Sequence, residues 1–155
     1  MNIQEIKHRN LVLRSYFEGR NWDLNSEHSL KRELVLESDR IFPQYPYVIE
    51  DEWEVTPDKS NDGKGDLVFT DAAGRFAIVE VKHINLELYG GNASTKRTSR
   101  RKVVKEQAVR YAEQYANLAS DRQIYVKQVE AFIFTNESRL PKVLKTIVVE
   151  TSAVS

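Results

Sequence analysis

The sequence predicts an α/β fold. Two amphipathic helical stretches bracket a pair of β-rich runs joined by a short turn, and further β-rich runs follow near the C-terminus. A chain of 155 residues with 41% hydrophobic content has the size and composition of one domain around one core, so a single domain spanning 1–155 is expected.

The first element is a helix over Ile3 to Phe17, with apolar residues at Ile3, Ile6, Leu11, Leu13 and Phe17 in an imperfect helical pattern. Asn25-Ser26 then caps a second helix from Glu27 to Ser38, where Leu30, Leu34 and Glu37 share one face and Glu33 lies close beside it. Pro43 and Pro46 break the chain before a strand from Tyr47 to Val55 with Tyr47, Ile49, Trp53 and Val55 at alternate positions. Pro57 to Gly65 reads as a polar loop. Asp66 to Thr70, the turn Asp71-Ala72-Ala73-Gly74, and Arg75 to Lys82 read as a β-hairpin. Gly90-Gly91 and a Ser/Thr/Lys/Arg mixture make Leu86 to Ser99 a basic loop, and a helix follows from about Arg100 to Leu118. Its apolar stripe is drawn from Val103, Ala108, Tyr111, Tyr115 and Leu118. Val129 to Thr135 and Thr146 to Thr151 are the last β-rich runs, with Pro141 between them.

Composition excludes several classes of protein. No stretch approaches the roughly 20 apolar residues of a membrane span, and Met1-Asn2-Ile3-Gln4-Glu5 has neither the basic nor the apolar region of a signal peptide. An intracellular protein, cytoplasmic or nuclear, with no membrane partner is the expectation. The absence of cysteine removes disulfides, thiolate zinc and iron–sulfur clusters, and three scattered His argue against a His-only metal site. Any metal is expected to be a hard cation on oxygen ligands. Formal net charge is zero, yet the charges are segregated. Lys96, Arg97, Arg100, Arg101, Lys102, Lys105 and Arg110 are opposed locally only by Glu106, whereas Glu50, Asp51, Glu52, Glu54, Asp58 and Asp62 gather upstream.

The chemistry concentrates on the hairpin. Glu80 and Lys82 are two apart on a strand, so they project the same way about 7 Å apart. Pairing Thr70 with Arg75 across the turn sets Asp66 opposite Val79 and therefore beside Glu80. A one-residue bulge or register shift would set the two acids directly opposite, roughly 4.5 to 5.5 Å apart at Cβ. Carboxylates at that separation repel, and a divalent cation resolves the conflict. Mg²⁺ takes a few carboxylate oxygens at about 2.0 to 2.1 Å and keeps waters for a phosphate. An isolated Glu-x-Lys on a strand is most often a surface ion pair of little energetic worth.

This motif is not isolated. Gly65-Asp66, an apolar strand, a turn and Ile78-Val79-Glu80-Val81-Lys82 together resemble the PD-(D/E)xK, or restriction-endonuclease-like, nuclease superfamily. A helix bearing Glu33 and Glu37 precedes the hairpin, and Gln107-Ala108-Val109-Arg110-Tyr111 follows it. That Q-x-x-x-Y resembles the lambda-exonuclease and RecB-like branch, and the features together span about residues 27 to 135. Pro57-Asp58 is an alternative to Gly65-Asp66 by its letters, but it lies farther from the turn, where hairpin pairing cannot bring it beside Glu80. Both Glu33 and Glu37 flank the Leu30/Leu34 face, with Glu33 preferred.

The resemblance implies an αβββαβ core about residues 26–135, with a mixed sheet flanked by helices, and a site where the hairpin strands diverge. It implies Asp66, Glu80, the Val81 carbonyl and Glu33 as ligands of Mg²⁺, with Mn²⁺ able to substitute, and Lys82 orienting the attacking water. Gln107 and Tyr111 would stand beside the metal, products would carry 5′-phosphate and 3′-hydroxyl ends, and Lys96, Arg97, Arg100, Arg101, Lys102, Lys105 and Gln107 would hold nucleic acid, DNA before RNA. His83 carries no assigned role. A non-catalytic nucleic-acid-binding module of the same fold and a dimeric structure-specific resolvase remain alternatives, and a homo-oligomer is compatible with either enzyme reading.

Overall fold

The computed structural model describes residues 1–19, 25–55, 63–84, 93–121 and 125–149. Among residues 93–121, the described side chains are those of Ser99 and residues 101–119. The elements run α1 (Ile3–Glu18), α2 (Ser26–Leu36), α3 (Ser38–Ile41), β1 (Tyr47–Glu54), β2 (Lys64–Thr70), β3 (Arg75–Lys82), α4 (Ala93–Asp121), β4 (Gln128–Thr135) and β5 (Lys142–Val148). The strands form one five-stranded sheet in the order β1-β2-β3-β4-β5. Neighbours are antiparallel except β3 and β4, which α4 connects in parallel, so the sheet is mixed and the fold is α/β.

Hydrophobic clusters cover the two faces of the sheet. On one, Val104, Ala108, Tyr111, Ala112, Tyr115 and Ala119 of α4 pack on Val68, Ile78, Val129, Ala131 and Ile133. On the other, Leu30, Leu34 and Val35 of α2 join Phe42 and Tyr45 over Leu67, Phe69, Val79, Val81, Phe132 and Phe134. The α1 helix contributes Ile6 to the first cluster and Phe17 to the second. Arg14 ties it to its neighbours, donating to Val35 O at 2.5 Å, Ser38 Oγ at 2.6 Å and Pro46 O at 3.1 Å.

The helices start where their caps allow. Asn2 accepts the Glu5 N–H at 2.8 Å and Asn25 accepts that of His28 at 3.1 Å, so each satisfies a backbone donor of the first turn. Of the apolar residues expected to bury α1, only Ile6 and Phe17 are buried, whereas Ile3 and Leu11 are exposed. The α4 helix is longer than its sequence pattern suggests. Ala93 to Ser99, read above as loop, are helical, because past Gly91 no Gly or Pro interrupts a run rich in Lys, Arg and Ala. The stretch 85–92 lies outside the described residues, as do 56–62 with Asp58 and Asp62. The stripe of α4 is also shifted, with Val104 buried in place of Val103, which is 55% exposed, because the buried set falls at i, i+4, i+7, i+8, i+11 and i+15 from Val104. The last strand begins directly after Pro141, earlier than the expected Thr146, since its register with β4 runs back to Lys142.

Hairpin register departs from the count across the turn in the way that matters most. Thr70 pairs with Phe76, not Arg75, and Leu67 pairs with Val79. Side chains widen the turn. Thr70 Oγ1 donates to Arg75 O at 2.8 Å, Asp71 Oδ1 accepts the N–H groups of Ala73 at 2.7 Å and Arg75 at 3.1 Å, and Gly74 takes a positive φ of 93°.

Candidate active site

The β2–β3 ladder ends at Leu67 and Val79, and side chains replace it beyond that point. The Asp66 N–H donates to Glu80 Oε1 at 3.1 Å, and the Val81 N–H donates to Asp66 Oδ2 at 2.8 Å. Each carboxylate thus takes a backbone donor of the facing strand, which holds the two acids against one another at the end of the hairpin. Gly65 makes this possible. Its Cα packs so closely on the Trp53 indole that a Cβ there would stand 2.2 Å from Trp53 Nε1, and no larger residue fits immediately before Asp66.

Burial and mutual repulsion dominate the electrostatics of this pair. Glu80 is 5% exposed, and its pKa is pushed up to about 9, first by desolvation and then by the charge of Asp66 and a hydrogen bond to it. The pKa of Asp66 is raised as well, by burial above all, against the lowering effects of Lys31 and the Val81 N–H. At neutral pH the two carboxyl groups share a proton. Asp66 keeps 27% of its side chain open to solvent, so the pair is reachable through Asp66, with Glu80 buried behind it. Its donor set suits a hard dication, with adjacent carboxylate oxygens that now compete for one proton.

Two charged residues that sequence reasoning passed over stand beside the pair. The Lys31 ammonium, on a side chain only 3% exposed by residue, lies 2.5 Å from Asp51 Oδ1 and 3.9 Å from Asp66 Oδ1. Glu27, one turn before Lys31 on α2, bonds Lys82 Nζ at 2.8 Å, and its charge also reaches Asp66. The signal was present in the spacing Glu27, Leu30, Lys31, Leu34, which is i, i+3, i+4, i+7 and places both charges along the buried stripe.

The helix acids singled out from sequence have other partners. Glu33 pairs with Arg139 at 3.3 Å, and Glu37 caps the end of α2 and pairs with Arg40 at 3.4 Å. The acid of α2 in contact with the hairpin is Glu27.

Lys82 is half-exposed at the mouth of a cleft of about 790 Å³ that Glu27, His83, Val103 and Gln107 also line. Asn136 fixes the backbone just beyond Lys82, accepting the Ile84 N–H at 2.7 Å and donating to Ile84 O at 2.9 Å, which extends the β3–β4 ladder by a side chain. A second cleft of about 520 Å³ shares His83 and contains Glu33, Asn136 and Arg139. His83 therefore lies between two openings. Gln107 faces the first cleft, whereas Tyr111 is buried edge-on to Trp53 at 6.1 Å, its hydroxyl lying against Gly63. One helical turn separates a cleft residue from a core residue.

Of the basic residues, Lys102 and Lys105 are exposed on α4 with Arg110, whose guanidinium lies 5.1 Å from the Tyr111 ring centre. Arg101 is held by Glu137, its Nε 2.8 Å from one oxygen and its Nη2 on the other. The side chains of Lys96, Arg97 and Arg100 lie outside the described residues. Among the described residues, no helix is long and apolar enough to cross a membrane.

Comparison with family models, with curated proteins and with solved structures finds no match to this chain.

Proposed function

We propose that this chain is a metal-dependent phosphodiesterase that cuts nucleic acid, with DNA the preferred class and Mg²⁺ the natural cation. The observation that carries this reading is the interlocked Asp66/Glu80 pair, which brings two acids together at the end of the hairpin, with Lys82 on the same strand lining a cleft. A surface ion pair needs no such arrangement. The order α2, three strands, α4, β4, with the short α3 between α2 and β1, supports a restriction-endonuclease-like core, and with the Asp66, Glu80, Lys82 spacing it supports a place among the PD-(D/E)xK nucleases.

Asp66 and Glu80 would hold the cation, and the Val81 carbonyl completes the protein's share, the Val81 N–H being committed to Asp66. Among the described residues no three His, Asp or Glu side chains converge as a metal cluster, so water and substrate oxygens would fill the remaining positions. When bound, the cation supplies a water of lowered pKa and neutralises charge developing on the phosphate. Lys82, paired with Glu27 in this structure, would on release orient the attacking water and face the same charge. Gln107 contacts the strand across the cleft, and Lys102 and Lys105 take flanking phosphates along α4.

The test uses purified protein on single-stranded, duplex, flap and four-way-junction DNA and on RNA, with Mg²⁺, Mn²⁺ or EDTA. Cleavage with either cation, lost in EDTA and in Asp66→Asn, is expected. Undiminished cleavage in EDTA overturns the reading, and tight binding without cleavage on any substrate replaces it with a binding module.

A further inference from the structure

We propose that Lys31 is a built-in cation standing in for a second metal ion, held there by Asp51, so that the site loads one divalent ion per chain. This rests on the metal reading above and goes further, because it sets the stoichiometry.

The starting observation is the burial of a lysine between core leucines of α2. Lysine is almost never fully buried unless paired, since moving an ammonium out of water is costly. Lys31 is 3% exposed. Its ammonium forms an ion pair with Asp51 of β1 at 2.5 Å and stops 3.9 Å from Asp66 Oδ1. The ion pair with Asp51 ties α2 to β1, and the approach to Asp66 is additional to it. Here the ammonium is turned to the site.

The ammonium stands next to the place a second ion would take. In two-metal phosphodiesterases the ions stand about 3.5–4 Å apart and share a bridging carboxylate. Asp66 Oδ2 accepts the Val81 N–H, and Oδ1 is the oxygen that faces Lys31. A second dication on that oxygen would meet an ammonium within contact distance. The charges give the same answer. Asp51, Asp66 and Glu80 oppose Lys31, and once a bound cation displaces the proton shared by Asp66 and Glu80 two negative charges are left, which one dication cancels.

The experiment is a Mn²⁺ titration of the full chain, followed by calorimetry and by the electron paramagnetic resonance of free Mn²⁺, needing no nucleic acid. Wild type is expected to bind one Mn²⁺. Lys31→Met, which keeps the stem and removes the charge, is expected to bind a second ion or to bind the first at least tenfold tighter, and Lys31→Arg to behave as wild type. Two ions of comparable affinity in wild type, or an unchanged titration in Lys31→Met, overturns the proposal while leaving the metal site standing. Absence of Mn²⁺ binding in wild type overturns both readings. If Lys31→Met does not fold, Asp51→Asn decides: freed from its partner, Lys31 should close on Asp66 and weaken Mn²⁺ binding, and unchanged affinity overturns the proposal.

Discussion

Replacing Glu80 by Gln in metal-free protein should stabilise the fold, by an amount that grows with pH. Glu80 titrates near 4.5 when unfolded and at about 9 in the fold. Between these values the unfolded chain carries the charge and the folded one carries the proton, so folding takes up a proton and stability falls as pH rises. Above the upper value the loss levels off. At pH 7 the accumulated loss is about 3 kcal/mol, each pH unit through the window contributing about 1.4 kcal/mol. That is a ceiling, because Asp66 shares the proton and bears part of the penalty. The amide of Glu80→Gln is neutral, can accept the Asp66 N–H and can donate to the Asp66 carboxylate, so the variant escapes the loss without leaving a buried group unpaired. For a chain of this length 1 kcal/mol moves Tm by about 2–4 °C, so a gain of about 6–12 °C is the upper expectation at pH 7. Thermal melts of both proteins in EDTA at pH 5, 7 and 8.5 measure it. The gap should be small at pH 5 and widen with pH, and Mg²⁺ should raise the Tm of wild type but not of the variant. A variant less stable than wild type at pH 7, or a gap independent of pH, would refute the account of a buried, proton-sharing pair.

Lys82→Ala should still bind Mn²⁺ and nucleic acid but lose about a hundred- to thousand-fold in single-turnover cleavage, since the contact acts mainly in the transition state; unchanged cleavage removes Lys82 from the catalytic set. Replacing Lys102 and Lys105 together by Ala should lower DNA affinity and reduce the log–log salt slope by about 1.8, at about 0.9 per phosphate contact, which a fluorescence-anisotropy salt titration reads directly. Gly65→Ala should destabilise by about 1–3 kcal/mol through overlap with the Trp53 ring, and an unshifted denaturation midpoint would show that the ring can yield. Asn136→Ala strips the Ile84 N–H and carbonyl of their partners and should cost about 1–3 kcal/mol in chemical denaturation if they stay dry, with water replacing the lost bonds if it does not.

Properties confined to a short window were legible from the residues alone. The strand Arg75–Lys82 follows from its β-branched and aromatic run, the start of α2 from Asn25, and the nearness of Asp66 to Glu80 from counting back through a hairpin. Those signals are local because rotamer preference, capping and strand alternation act between residues a few positions apart. The register was not legible to the last residue. Whether Asp66 lay beside Glu80 or interlocked with it turned on the Thr70 and Asp71 side chains, whose hydrogen bonds widen the turn by one position. The ends of α4 and its buried face were likewise settled by what the sheet offers it to pack on, which put Val104 inside and Val103 outside. The partners of the charges around the acids belonged to the tertiary structure. Spacing alone places Glu27 and Lys31 along the buried stripe of α2, but their partners appear only when the helix is laid across the end of the hairpin. There Lys31 meets Asp51 from one strand and Asp66 from another, and Glu27 meets Lys82. An ion pair falls off steeply with distance and depends on burial. Which charges meet, and how strongly, was therefore decided only by the packing that brought these segments together and removed the water between them.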